Sequence, residues 1–315
     1  MADDRQWPDI PYAQWAETCQ ALHLYSQMVG KYRLARTPWV NHSWHATLYV
    51  NATGLTTGVV PDSGTGIELA FDLVDHRLVG TNSAGDKRDF SLEPGTVAGF
   101  SRHLKQAIAE LGGTAEFHGS PNEVEDAVAF ERDDWRRPYD RDAVTSFHRA
   151  LVSIDAVFKR FRTGFIGKVS PVHLFWGSFD LAVTRFSGRT GPPHPGGVPN
   201  LPDTVTREAY SHEVSSAGFW PGGGGIDEPT FYSYAYPTPA GFSDSRIEPG
   251  EAYFHETLGE FVLPYDTVRR ARNPEATLLG FLQTTYDAAA ANGAWERARL
   301  ECEIGVPGRP RQIDH

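Results

Sequence analysis

Residues 171–188 read PVHLFWGSFDLAVTRFSG and form the longest apolar run with strand character in the chain. A Gly-Lys pair at positions 167–168 precedes it by two residues. Upstream of the pair, apolar side chains recur at helical spacing over residues 140–165, which predicts a long amphipathic helix. This region therefore predicts a helix followed by a buried strand.

The same order of helix, Gly-Lys pair and strands occurs near the N-terminus. Apolar residues at helical spacing over positions 12–29 predict a first helix. Gly30 is expected to end this helix, with Lys31 just beyond it. The recurrence predicts an internal duplication, in which an N-terminal half (residues 1–137) and a C-terminal half (residues 138–315) pack as one compact unit.

The strand signals favour antiparallel sheets. Residues 42–51 alternate between two sets of side chains and predict a strand. Further strands are expected at about 207–216, 228–236 and 252–263, separated by turn-forming residues. Runs of strands between helices predict an α+β fold with antiparallel, β-rich sheets and flanking helices.

Composition narrows the range of partners. A nucleic-acid partner is not expected at a net charge of -11, because phosphate binding needs clustered Lys and Arg. No apolar run reaches the roughly 18 residues that a membrane helix requires. The acidic N-terminus lacks the apolar core of a secretory signal, so we expect a cytoplasmic protein. Aromatic residues make up 12% of the chain, which favours large packed interfaces or ligand-contacting surfaces.

Histidines in polar company are the first candidate site. They occur in the segments NHSWH, SHEV and FHET, in two cases next to a glutamate. Imidazole and carboxylate groups together suit a divalent metal or a general acid–base pair. The candidate catalytic residues are His45, His212, Glu213 and His255. The candidate metal ligands are His42, His45, His212, His255 and Glu256. The alternative is that these are hydrogen-bonded structural or surface histidines.

A row of tyrosines is the second candidate site. Tyr232, Tyr234 and Tyr236 alternate along one predicted strand and so share one of its faces. Together with Tyr210 and Trp220 they are the candidate ligand-binding residues, because neighbouring strands with aromatic faces can line a small-molecule pocket. The alternative is cross-strand aromatic packing that stabilises the sheet.

One acidic residue lies within the longest apolar run. Asp180 shares a strand face with Ser178 and Thr184. A buried carboxylate needs a partner, and Arg185 or Lys168 could provide it. The simplest expectation is a structural ion pair, since burial penalises an unpaired carboxylate.

Several longer segments resemble a known family. They include NHSWHATLYV (41–50), IGKVSPVHLFWGSFDLAVTRFSGR (166–189) and REAYSHEVSSAGFWPGGGG (207–225). With further matches, including PNEV (121–124), they cover nearly the whole chain. The sequence resembles a bacterial domain-of-unknown-function family, and this resemblance implies no reaction, cofactor or catalytic residue.

Three functional hypotheses follow. The first is an enzyme that acts on a small molecule in a His/Glu cleft between the halves, with a divalent metal as a possible cofactor. The second is a non-catalytic module that binds a small ligand, which predicts a deep aromatic-lined cavity without convergent titratable groups. The third is a structural or partner-binding protein, which requires an exposed apolar patch of several hundred Å².

Overall fold

A five-stranded and a six-stranded antiparallel sheet, with flanking helices, form the centre of the structure, a computed structural model that describes residues 6–311. The predicted α+β class is confirmed. The N-terminal part contains α1 (Tyr12–Arg36), β1 (Tyr49–Val50), β2 (Gly54–Asp62), β3 (Thr65–Asp72), β4 (Arg77–Asn82), β5 (Lys87–Ser91), β6 (Gly95–Thr96), α2 (Val97–Glu110) and β7 (Arg136–Arg137). The C-terminal part contains α3 (Arg141–Arg162), β8 (His173–Phe175), β9 (Asp180–Thr190), α4 (Asp203–Ala209), β10 (His212–Trp220), β11 (Thr230–Tyr236), β12 (Tyr253–His255), β13 (Glu260–Pro264), α5 (Tyr265–Arg270), α6 (Pro274–Asn292) and α7 (Arg297–Leu300).

The two sheets are built from different sets of strands. The first has the order β1-β2-β3-β4-β5, and the second has the order β12-β13-β11-β10-β9-β8. A helix precedes and follows each set, as the sequence predicts. The sheets differ in strand number, however, and one Gly-Lys pair lies inside a helix while the other follows one. The internal duplication is therefore not confirmed, and the division at residue 137 stays a prediction.

Helix α1 does not end at Gly30 as predicted, but continues to Arg36. The glycine is needed for close packing, since a Cβ at this position would lie 2.1 Å from Cδ1 of Trp176. The Trp176 ring is fixed there by a 2.7 Å hydrogen bond from its Nε1 to the carbonyl oxygen of Ala46. Gly30 therefore allows the indole ring of Trp176 to pack against the helix.

The strand predicted for residues 42–51 is wrong for most of its length. A short 3-10 turn occupies Asn41–Ser43, and sheet pairing begins at Leu48, which forms an antiparallel bridge with Leu174 before β1 starts at Tyr49. His42 and Ser43 have φ values of 61° and 59°, in the left-handed region that a strand cannot include. Tertiary contacts of this segment override its alternating pattern.

Two other predicted strands also differ from the structure. The segment expected over residues 207–216 is the end of α4 followed by β10, so Tyr210 lies on the link between them rather than on a strand. The segment expected over 252–263 is a hairpin of β12 and β13. Tyr253 and His255 consequently belong to the edge strand β12, whereas Glu260 begins β13.

The two faces of the six-stranded sheet carry different side chains. Large apolar residues such as Leu181, Phe219 and Phe231 are buried on the face covered by α3 and α6. On the opposite face, Gly218 of β10 leaves room for the ring of Tyr232, since a Cβ at position 218 would lie 2.3 Å from its Cζ. The sheet is therefore packed against helices on one face and lines a cavity on the other. No helix within residues 6–311 combines the length and apolarity needed to cross a bilayer.

Candidate functional site

A cavity of about 570 Å³ lies on the open face of the six-stranded sheet. This is a normal size for a site that binds a small molecule. Strands β8, β9, β10, β11 and β13 form its floor. Its other walls come from α1, the 39–47 segment, residues 118–123 and residues 198–210. The cavity therefore uses both parts of the chain, although a single sheet provides its floor.

Three carboxyl side chains meet in this cavity. Glu123 comes from the loop before α3, Asp180 begins β9, and Glu260 begins β13. Desolvation, followed by the charge of Asp180, raises the pKa of both glutamates, so each of them lies close enough to Asp180 to interact with it electrostatically. Like charges at this separation disfavour full ionisation, which is a common feature of acid–base sites.

Asp180 is only 4% exposed, and its partners are neutral. Its Oδ1 accepts a hydrogen bond from the Ser178 hydroxyl, and its Oδ2 accepts one from the Tyr232 hydroxyl. Burial raises the pKa of Asp180, while both hydroxyl groups oppose this rise. The two hydrogen bonds orient the carboxyl group and favour its ionised form.

The expected ion pair of Asp180 with Arg185 or Lys168 is wrong. Arg185 points to the packed face, because neighbouring residues on a strand alternate, and it donates a 2.6 Å hydrogen bond to the Phe161 carbonyl oxygen. Lys168 lies beside His42, with Nζ 2.5 Å from its Nε2. No lysine or arginine within residues 6–311 forms a salt bridge with Asp180.

Glu260 has the least compensated carboxyl group of the three. Its Oε2 is buried and has no hydrogen-bond partner among the described residues. Burial, followed by the repulsion of Asp180, raises its pKa to about 8. Glu260 therefore holds a proton at neutral pH.

Glu123 and Lys31 lie on another wall of the cavity and interact electrostatically. Surrounding protein atoms, followed by the charge of Asp180, raise the pKa of Glu123, but the residue is exposed to solvent, so water reduces this shift, and Lys31 acts in the opposite direction. Burial lowers the pKa of Lys31 to about 8. The ammonium group of Lys31 donates to Oδ1 of Asn122 and lies 5.2 Å from the ring centroid of Trp176.

Helix α1 positions the Glu123 loop through one of its faces. His23, Gln27 and Lys31 follow at intervals of four residues and therefore share that face. The Gln27 side chain donates to the Asn122 carbonyl oxygen at 2.9 Å and accepts from the Asn122 amide at 2.8 Å. The amide of Glu123 donates to the carbonyl oxygen of Pro199 at 2.9 Å. The loop is thus held from two sides.

Strained backbone conformations gather around the cavity. His42, Ser43, Glu123, Phe179 and Asn200 have positive φ values between 54° and 61°. Four of them line the cavity, and Phe179 lies between two lining residues. Conformations of this kind cost on the order of 1–3 kcal/mol each and occur preferentially at functional sites.

Four of the five candidate ligand-binding residues line the cavity: Tyr210, Trp220, Tyr232 and Tyr234. The Tyr210 and Tyr234 hydroxyl groups are 2.8 Å apart. Burial raises the pKa of Tyr210 to about 12 and raises the pKa of Tyr232 and Tyr234 well above the usual value, so all three hydroxyl groups stay protonated. Tyr236 does not line the cavity, because its hydroxyl donates to the Pro192 carbonyl oxygen.

The structure brings two of the candidate histidines together. The rings of His42 and His212 have centroids 5.9 Å apart, and His42 lines the cavity. Both nitrogens of His42 are engaged, since Nδ1 donates to the Ala209 carbonyl oxygen at 2.8 Å and Nε2 accepts from Lys168. Burial lowers the pKa of His42. This arrangement fits the alternative of a hydrogen-bonded structural histidine.

The other candidates lie in separate surroundings outside the cavity lining. His45 packs against Trp39, with ring centroids 4.6 Å apart. Glu213 accepts hydrogen bonds from Ser187 and Arg189. Nδ1 of His255 accepts from the amide of Leu258, and Glu256 is exposed in the same hairpin turn. In the part of the chain that the structure describes, no three His, Cys, Asp or Glu side chains could hold one metal ion.

Lys31, Glu123 and Glu260 were missed as site residues. The PNEV segment contains Glu123, but its sequence gives no sign that the loop meets β9. Glu260 follows a glycine turn and resembles any exposed hairpin residue. The spacing of His23, Gln27 and Lys31 was the one available signal, since polar groups at that interval on a mostly apolar helix imply a buried polar partner.

Comparison with known proteins identifies the family of the chain. A family model described as a family of unknown function, DUF5996, matches residues 7–302. No curated protein and no solved structure gives a significant match. The match extends over almost all of the 315 residues, and the chain therefore belongs to the DUF5996 family of unknown function.

Proposed function

We propose that this protein is an enzyme that transfers protons to and from a small molecule bound in the cavity. The observation that carries the proposal is the convergence of Glu123, Asp180 and Glu260 in one aromatic-lined cavity. A general acid or base works best when its pKa lies near the operating pH. Glu260, whose Oε2 is buried, has a pKa of about 8.

The surroundings of Asp180 and Glu260 suit different roles. Asp180 accepts two hydroxyl hydrogen bonds, which favour its carboxylate form, so we assign it as the general base. Glu260 has an unpartnered buried oxygen and a pKa of about 8, so we assign it as a group that exchanges a proton near neutral pH. Carboxyl groups with perturbed pKa values in one cavity are typical of acid–base sites.

A non-catalytic binding module is the alternative. It shares the aromatic lining but has no need for convergent carboxyl groups with raised pKa values, whose burial is unfavourable for folding. The carboxyl groups therefore favour the enzyme. A divalent metal at the histidines, a bacterial origin and a cytoplasmic location stay predictions. Metal analysis of the purified protein, together with the variant His212→Ala, tests the metal.

The experiment is a turnover assay on pooled small metabolites, followed by NMR and mass spectrometry. We expect the wild-type protein to convert at least one compound, and Asp180→Asn and Glu260→Gln to slow this by about 10²–10⁴-fold. The control Glu251→Gln removes an exposed carboxyl outside the cavity and should react normally. Compounds that bind the wild type but are all recovered unchanged would refute the enzyme and favour the binding module.

A further inference from the structure

The cavity wall has an excess of acidic groups. Its lining includes three carboxyl groups but a single lysine, Lys31. That lysine is 2% exposed, donates to Asn122 and interacts with Glu123. Asp180 and Glu260 are consequently left without a cation among the described residues. Buried carboxyl groups are normally paired, so the part of the cavity around Asp180 and Glu260 lacks a compensating positive charge.

An aromatic pair lies beside Asp180, in the same cavity as Glu260. The rings of Trp220 and Tyr232 have centroids 4.3 Å apart, and Tyr232 also donates its hydroxyl to Asp180. Both rings line the cavity. Indole rings attract ammonium groups, and the attraction is stronger when water is excluded.

Lysines already occupy comparable positions at two other tryptophans of the cavity wall, one from within the lining and one from outside it. Lys31 lies 5.2 Å from the Trp176 ring centroid, and Lys168 lies 5.4 Å from that of Trp44. Within residues 6–311, no lysine or arginine lies over Trp220 in this way. The corner at Trp220 thus has the surroundings of an ammonium site without an ammonium group from the chain.

We propose that the ligand of this cavity is an organic cation whose ammonium group binds between Asp180 and Glu260, against the Trp220 ring. This inference rests on the proposed function, because it concerns the same cavity and names its substrate class. A bound ammonium supplies the positive charge that both carboxyl groups lack. Aromatic rings and carboxylates together are a common way of binding amines and quaternary ammonium ions.

The binding should be linked to protons. The titratable groups around Glu260 come from several elements of the fold. They are Asp180, Tyr210, Tyr232, Tyr234, the more distant Glu123, and His255, which pairs with Glu260 across the hairpin. The tyrosines stay neutral, so binding a cation at neutral pH favours the loss of a carboxyl proton. Affinity should therefore rise by about tenfold from pH 6 to pH 7, the change in the ionised fraction of one group well below its pKa.

Isothermal titration calorimetry with four probes tests the proposal. Choline and benzyltrimethylammonium carry a charge that does not change with pH, and 3,3-dimethyl-1-butanol and benzyl alcohol are their neutral counterparts. We expect at least one of the two cations to bind, at least about tenfold more tightly than its neutral counterpart. In buffers of different ionisation enthalpy, its binding should release protons at pH 7.

Binding measurements on variants test where the cation binds. Glu260→Gln should weaken binding by at least about tenfold and remove most of the pH dependence, while Glu251→Gln should leave both unchanged. The comparison of charged and neutral probes uses the wild-type protein, so the test holds even if a variant misfolds. The proposal is overturned if neither cation binds, if the neutral probes bind equally well, or if Glu260→Gln binds like the wild type.

The outcome is separable from that of the proposed function. Turnover of neutral compounds without cation binding would refute the ammonium site and leave the enzyme standing. Cation binding that depends on Glu260, with no turnover of any compound, would support the ammonium site and refute the enzyme.

Discussion

Replacing Gly30 by alanine should destabilise the protein, although alanine is the better helix former. In a helix interior, alanine is favoured over glycine by about 0.8–1 kcal/mol. The new Cβ, however, would lie 2.1 Å from Cδ1 and 2.2 Å from Nε1 of Trp176. Carbon atoms pack at about 3.5–4.0 Å, so the ring would have to move by more than 1 Å.

The displacement of Trp176 has two costs. Overpacking a well-filled core costs about 1–3 kcal/mol. Movement of the ring also weakens the 2.7 Å hydrogen bond from Nε1 to the Ala46 carbonyl oxygen. A lost hydrogen bond adds about 0.5–1.5 kcal/mol. After the gain in helix propensity is subtracted, the free energy of unfolding of Gly30→Ala should fall by about 1–3 kcal/mol.

Urea unfolding measures this change, and the chain offers a matched control. Gly280 also lies inside a helix, α6, and a Cβ there would meet nothing within 4 Å. Gly280→Ala should therefore raise the free energy of unfolding by about 0.5–1 kcal/mol. If both variants are stabilised to the same extent, the close contact between Trp176 and α1 is refuted. Trp176 and Lys31 line the cavity, so Gly30→Ala should also alter ligand binding.

Three further predictions concern the site and its supports. The folded state raises the pKa of Glu260 from 4.5 to about 8, so the wild type loses stability as pH rises through this interval. In urea unfolding, the free energy of unfolding of Glu260→Gln should equal that of the wild type near pH 4 and exceed it by roughly 1–3 kcal/mol above pH 8. Glu208 accepts a 2.8 Å hydrogen bond from the His42 amide, so Glu208→Ala should loosen α4 and speed limited proteolysis within residues 191–211, whereas Glu251→Ala should not. The Asp140 side chain caps α3 at the Ala143 amide, so Asp140→Ala should lower the free energy of unfolding by about 1 kcal/mol, and an unchanged urea midpoint would contradict this.

The sequence predicted those elements whose determinants are local. Helix α3 and strand β11 follow from the periodicity of their side chains, within a few residues at each end. The alternation along β11 also placed Tyr232 and Tyr234 on one face, and both line the cavity. Burial patterns of this kind depend on neighbours in the same element, so one sequence is sufficient to detect them.

Long-range contacts decided the features that the sequence did not predict. Gly30 resembles a helix terminator until Trp176, distant in sequence, packs against it. The first part of the alternating segment, from His42 to Thr47, forms no strand, because its backbone bonds to side chains of α1, α4 and Trp176 rather than to a sheet. The histidines were ranked above the carboxyl groups because imidazole is the commoner sign of chemistry, and charged residues in turns are usually solvated.

The position of Glu123 shows why this site needs both parts of the chain. Its left-handed backbone, with φ of 59°, is unfavourable by itself, and its carboxyl group lies against Gly177, where any larger side chain would collide with it. Gln27 of α1 fixes the preceding residue, and the 191–211 segment accepts the Glu123 amide at Pro199. The conformation therefore persists only while helix, loop and sheet are assembled together. Since the repulsion between Glu123 and Asp180 is created by the same assembly, the fold itself generates the raised pKa values on which the proposed acid–base chemistry depends.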